Sequence, residues 1–190
     1  MHGPAGRGGR DVRVGAGAAL TANAAAPVFL DEFTAAGDPV QTVAVTPTLA
    51  GHRRFTVNGT DSAEGALNLS ANGQYLTLAG YDAAVGRANV ASGTNSLFVN
   101  RVVARVDADG LVDTTTVITD GYTFNSIHSA VTDDGTRFWT SGDGGTDANG
   151  NLTGGIRYMP FGNPGSSVRI SADRNFTRVV SIYNNQLYTS

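Results

Sequence analysis

The chain has 190 residues, 15% of them charged, with 25 glycines, no cysteine and a formal net charge of −3. The lack of Cys excludes disulfides, thiolate zinc sites and cysteine nucleophiles, and because all 13 basic residues are arginine, lysine Schiff-base and P-loop chemistry is excluded too. A weakly acidic chain without a basic stripe is not built to neutralise phosphates, and no apolar run approaches the roughly 20 residues that cross a bilayer, so neither nucleic acid nor a membrane span is expected.

The first 26 residues read as a disordered or irregular segment. Arg7, Arg10 and Arg13 precede the small-residue run Val14 to Ala26, the outline of a signal peptide, yet that run has no cluster of Leu, Ile or Phe to serve as its apolar centre. Val12 to Val14 is expected as a strand remnant. Gly15-Ala16-Gly17 fails as a dinucleotide fingerprint, because Leu20 stands at the third Gly position and Pro27 halts the helix that would carry the pyrophosphate.

From Pro27 to Ser190 the pattern is that of many short strands. High Gly content, a charged fraction well below the roughly 25% of ordinary domains, and alternating Val, Thr, Ala and Tyr all favour an all-β chain. Val28 to Thr34 and Val40 to Val45, joined at Gly37-Asp38, predict a hairpin over about 28–46. Two Asx-Gly hairpins follow, Ser70-Ala71-Asn72-Gly73-Gln74-Tyr75-Leu76 and, 62 positions later, Thr132-Asp133-Asp134-Gly135-Thr136-Arg137-Phe138. An Asx-Gly pair tolerates the positive φ that a two-residue hairpin demands. After each comes an outer hairpin: Asn100 to Asp107 with Val112 to Thr119 joined at Asp109-Gly110, and more loosely Gly155 to Gly162 with Ser166 to Ile170.

Two hairpins make four antiparallel strands, the size of one propeller blade, and radial repetition protects sheet edges. The expected fold is therefore a partial β-propeller of four-stranded antiparallel blades over 27–190. Blade one supplies only the hairpin at 28–46, blade two spans about 64–119, blade three about 125–171, and Arg178 to Ser190 forms a final inner hairpin. Two complete blades between terminal half-blades leave apolar faces open, so the chain reads as a truncated propeller or as one whose end halves pair in a small closed or sandwich-like form.

The turn segments at 70–76 and 132–136 resemble the Ser-Pro-Asp-Gly-Arg-Tyr-Leu hairpins of YVTN-type propellers. Ala26 to Phe33, Leu76 to Asp82, Arg101 to Asp107 and Asn184 to Tyr188 resemble uncharacterised exported bacterial β-propeller proteins, and the likeness spans roughly residues 12 to 190. That resemblance implies an extracellular or periplasmic setting and a propeller fold, without implying an activity.

Candidate site residues are few. Asp143, Asp147, Asn149 and Asn151 supply hard oxygens at the spacing that opens a Ca²⁺ loop, but Leu152 stands where an EF-hand needs Gly and Tyr158 where it needs a bidentate Glu, so an Asx-rich surface loop is the competing reading. His128, between Ser126 and Ser129 and followed by Asp133 and Asp134, is a candidate channel-lining residue and the only seed of Ser-His-Asp chemistry. Glu64, one of two glutamates, could face the channel. Trp139 is expected to pack between blades with its indole N–H on a backbone acceptor. The expected function is a non-catalytic binding or scaffold surface for a protein or carbohydrate ligand. The rivals are a propeller hydrolase or lyase using Glu64, His128 and the 143–151 loop, and a gene fragment without function.

Overall fold

The computed structural model describes residues 9–45, 50–171 and 174–190. His2 and the start of the N-terminal segment lie outside the described residues. Among those described, every regular element is a β-strand, and no helix is long and apolar enough to cross a membrane.

A first sheet contains β1 (Arg10–Val14), β3 (Val28–Phe33) and β4 (Pro39–Ala44) in the order β1-β3-β4, all antiparallel. The strand remnant expected at Val12 to Val14 is thus a five-residue strand inside the segment otherwise read as irregular. Its alternation is chemical as well as geometric. Val12, Val14, Leu30 and Val43 share the face that packs on the next sheet, whereas Arg13 and Thr42 hydrogen-bond Asp31 on the opposite face at 2.7 and 2.6 Å.

Two four-stranded antiparallel meanders follow. The second sheet runs β6 (Asn68–Leu69), β7 (Leu76–Tyr81), β8 (Arg101–Val106), β9 (Val112–Ile118). The third runs β10 (Ile127–Val131), β11 (Arg137–Gly142), β12 (Arg157–Pro160), β13 (Val168–Arg169). A terminal hairpin pairs β14 (Val180–Tyr183) with β15 (Gln186–Thr189). These elements occupy the stretches expected for blades two and three and the last hairpin. A small pair, β2 (Ala25–Ala26) with β5 (Val57–Asn58), was not expected. No sheet closes on itself.

The sheets stack in chain order, and the inner strands β7, β8 and β10 are buried on both faces. Along β7, Leu78 joins the apolar layer shared with the first sheet through Val28, Leu30, Val102 and Ala104. Its neighbour Ala79 joins the layer shared with the third sheet through Val103, Ile127, Ala130 and Phe138. A strand buried on both faces reads as a near-continuous apolar run, which is why Leu-Thr-Leu-Ala-Gly-Tyr lacks clean alternation. A third, smaller layer of Val131, Ile156 and Val180 joins the third sheet to the terminal hairpin. β10 lies against β6 and β7 on one side and β14 on the other, so leading strands of successive sheets are neighbours.

The Asx-Gly turns differ from the expected two-residue form. Leu69 pairs with Leu76 and Ser70 N–H bonds Tyr75 O, leaving the four residues 71–74 as the loop, in which Gly73 takes a φ of 72°. The Ser70 hydroxyl accepts the N–H of Gln74 and of Tyr75, and in the third sheet the Thr132 hydroxyl accepts that of Gly135. A side-chain oxygen that satisfies loop amides stabilises a wider turn. The two-residue loop occurs at Asn184-Asn185, both at positive φ (46° and 63°), between the paired residues Tyr183 and Gln186.

Candidate functional site

At the end of the sheets opposite the Asx-Gly turns, polar side chains converge on the last residue of β7. Tyr81 is fully buried, and its hydroxyl donates to Glu64 Oε1 at 2.6 Å while accepting the N–H of Ile127 at 3.3 Å. Glu64 Oε2 accepts the N–H of Asn58 at 2.8 Å. Through Glu64 the loop after β5 is tied to β7 by the first of these bonds and back to β5 by the second. On the other side of β5, Thr56 bridges Tyr81 and approaches β7 so closely that position 80 needs Gly, where a Cβ would sit 2.5 Å from the Thr56 carbonyl oxygen.

Burial pushes the Glu64 carboxyl up to about 7, the hydrogen bonds from Tyr81 and Asn58 opposing the shift and the nearby Asp61 adding to it. Tyr81 is held well above the ordinary phenol range, chiefly by burial and then by the Glu64 charge. Asp61 also accepts from the Ser126 hydroxyl at 3.0 Å, giving the loop a second anchor on the segment entering β10.

Beside this cluster Arg101 lies fully buried with its guanidinium 5.0 Å from the Tyr81 ring centre. Its Nη atoms donate to the carbonyl oxygens of Val99, Ala91, Thr94, Tyr122 and Asn125, at 2.6 to 3.4 Å, and to the Thr94 hydroxyl at 2.9 Å. Among the described residues no carboxylate pairs with it, and its Nε has no partner. Burial lowers its pKa to about 10. Arg101 ties the 90–99 loop to the 122–125 turn, in which Tyr122 and Phe124 take left-handed φ values of 58° and 55°. Nothing in the sequence singled it out. A lone Arg in an alternating strand has no signature until the carbonyls around it are known.

His128 sits near the same end but is engaged otherwise. Its Nδ1–H donates to Thr177 O at 2.9 Å, and its Nε2 lies 4.0 Å from Asp143 Oδ2. Ser126 bonds Asp61, and Ser129 bonds Asn68 Nδ2 at 2.8 Å, so among the described residues neither hydroxyl hydrogen-bonds the imidazole. The structure therefore brings Glu64 and Ser126 together, with His128 one residue beyond Ile127, without forming a nucleophile-base pair.

The expected calcium ligands are divided between two tasks. Asp143 stands near His128, and its N–H bonds Ser126 O at 2.9 Å. Asp147 accepts the N–H groups of Asn149 and Asn151, each at 2.8 Å, and the Asn151 amide at 3.0 Å. Those bonds hold its carboxyl below the ordinary range. The Asx spacing thus closes a tight turn between the bridged residues Thr146 and Leu152. Among the described residues no group of three His, Asp or Glu side chains is placed to hold a metal ion.

Two clefts open between sheets. One, of about 470 Å³, lies between the first and second sheets, with the Arg10–Glu32 ion pair (3.2 Å) at its rim and Leu67, Leu69, Tyr75 and Leu76 along it. The other, of about 230 Å³, lies between the third sheet and the terminal hairpin and is lined in part by Trp139. Trp139 packs with Ile182 and Leu187 and tilts against Tyr158 at 5.7 Å between ring centres. It lies between sheets as expected. Its indole N–H, however, meets no acceptor among the described residues, because the ring is only partly buried beside this cleft.

No known protein family, no curated protein and no solved structure matches the chain.

Proposed function

We propose that this chain is a non-catalytic β-propeller-type repeat array, extracytoplasmic in setting, whose inter-sheet clefts form a binding or scaffold surface. The observation that carries this reading is the use made of its reactive side chains. Glu64, His128, Asp147 and Ser126 each bond the chain's own backbone or a neighbouring side chain. The space left between sheets is lined by apolar and neutral polar groups together with Asp107 and the ion pairs Arg10–Glu32 and Asp133–Arg137. Clefts of that make-up fit ligand capture.

The propeller part of the reading draws on the two Asx-Gly turns. Ala71 N–H bonds Thr132 O at 3.1 Å and Asn72 N–H bonds Asp133 O at 2.9 Å, so the corresponding turns of consecutive repeats are stacked side by side with a shift of one residue. Such stacking is the habit of radial and solenoid arrays.

A hydrolase or lyase is the second reading, favoured by the burial of Glu64, which pushes its carboxyl up to about 7 and suits it to general acid work at neutral pH. The two readings separate experimentally. The intact chain is applied to immobilised glycan and peptide arrays, and bound ligands are followed for turnover and mapped by hydrogen exchange. The binding reading expects saturable capture that protects cleft residues and survives Glu64→Gln and His128→Ala. Capture of nothing, or turnover that either substitution abolishes, overturns it.

A further inference from the structure

We propose that the cleft between β11 and the terminal hairpin is a binding site for one neutral hexopyranose ring. The proposal rests on the binding reading above and names a ligand class for one of its clefts.

A pyranose has two chemical demands. Its C–H groups need an apolar surface, and each hydroxyl is at once a donor and an acceptor, best met by planar groups that reach two neighbouring hydroxyls together. The cleft meets the first with Trp139, Ile182 and Leu187, which line it and belong to a single apolar cluster. The second is met by the remaining lining groups. Asn185 and Gln186 are exposed at the tip of the hairpin, and among the described residues neither side-chain amide hydrogen-bonds the protein. Each offers a carbonyl oxygen and an NH₂. The Trp139 indole N–H is a further unmatched donor.

Charge argues for a neutral sugar. The two ionic groups in the cleft, Asp133 and Arg137, are already forked onto each other through Arg137 Nε at 2.9 Å and Nη2, leaving no net charge for an acidic ligand to answer. Size argues for a single ring, since about 230 Å³ is below the roughly 300 Å³ at which drug-sized pockets begin. The walls come from two sheets that are far apart in sequence. The hairpin tip is held in register by its two-residue turn, so the amides are presented without a flexible loop.

Trp139 is the only tryptophan in the chain, so intrinsic fluorescence reports from this cleft directly. The intact protein is titrated with methyl β-D-glucopyranoside, methyl β-D-galactopyranoside and methyl α-D-mannopyranoside. At least one is expected to shift the emission saturably. In the Asn185→Gly/Gln186→Ala double variant, which keeps Trp139 and a turn that tolerates positive φ, affinity should fall at least about tenfold, the worth of one good hydrogen bond. Circular dichroism and the denaturation midpoint check that this variant folds.

Three results would overturn the assignment: no shift with any of the three glycosides, an affinity unchanged in the double variant, or a shift produced by a methyl glucuronide or an extended peptide but by none of the neutral sugars. If the arrays show ligand capture elsewhere while Trp139 stays silent, this inference fails and the broader binding reading survives.

Discussion

Gly135 lies flat against the ring of Tyr75: a Cβ built at position 135 would stand 2.7 Å from Tyr75 Cδ2, and the Gly135 backbone is left-handed at a φ of 87°. These residues belong to the two Asx-Gly turns spaced 62 apart in sequence. Arg105 completes the contact, donating to Gly135 O at 3.0 Å with its guanidinium over the rings of Tyr75 and Phe161, at 4.7 and 3.9 Å. The turns are therefore welded to each other as well as closing their own hairpins.

Gly135→Ala should cost more than an ordinary glycine substitution, because both the φ and the ring oppose the new methyl. A loss of about 2–3 kcal/mol in urea denaturation is expected. Gly37→Ala is the control: its φ is 92° but nothing lies within 4 Å, so about 1 kcal/mol should be lost. Equal losses at the two positions would show that the Tyr75 contact is energetically idle.

Glu64 makes folding pH-dependent, and the sign follows from its raised pKa. The folded chain holds the proton more tightly than the unfolded one, so the contribution is fully present below about 4.5 and disappears as pH rises through about 7. Across that window the wild-type protein should lose on the order of 1–3 kcal/mol that Glu64→Gln retains. Tyr81→Phe removes a bond that lowers the Glu64 pKa, so it should move the midpoint of the loss to higher pH. Denaturation midpoints at pH 4.5, 6 and 8 measure both, and a wild-type profile parallel to that of Glu64→Gln would refute the linkage.

Arg101 is expected to be among the least replaceable residues. Arg101→Met withdraws a donor from five carbonyl oxygens, of which those of Ala91, Thr94 and Tyr122 keep a backbone N–H, and should cost about 2–4 kcal/mol. Arg101→Lys keeps the charge but cannot fork, so it should recover only part of that loss. Equilibrium denaturation of both variants decides, and a Met variant as stable as wild type would contradict this role.

Calcium should leave the melting temperature unchanged at millimolar concentration, since the Asp147 oxygens are occupied by Asn149 and Asn151. Asp147→Asn should lower the melting temperature slightly, and equally with or without the ion, through weaker acceptance of those amides. A calcium-dependent rise in the wild type that vanishes in Asp147→Asn would restore the metal reading of the loop.

Strand positions follow from local chemistry. The second sheet was expected over 64–119 and its strands run from Asn68 to Ile118. The third was expected over 125–171 and runs from Ile127 to Arg169. Turn residues and strand-forming runs carry that information within a few positions. The turns are wider than the Asx-Gly pair predicts, because the hydroxyls of Ser70 and Thr132 satisfy loop amides and set the loop width.

Of the site, Glu64 and His128 were singled out by rarity, but their partners were invisible. Tyr81 lies 17 residues from Glu64 and Thr177 lies 49 from His128. Composition and periodicity determined that this chain would be strands joined by glycine turns, because backbone preferences and alternation act between neighbours. Only the stacked sheets decided which acid would be held near neutrality, which arginine would be enclosed by carbonyls and where clefts would open, because desolvation depends on what distant segments bring alongside.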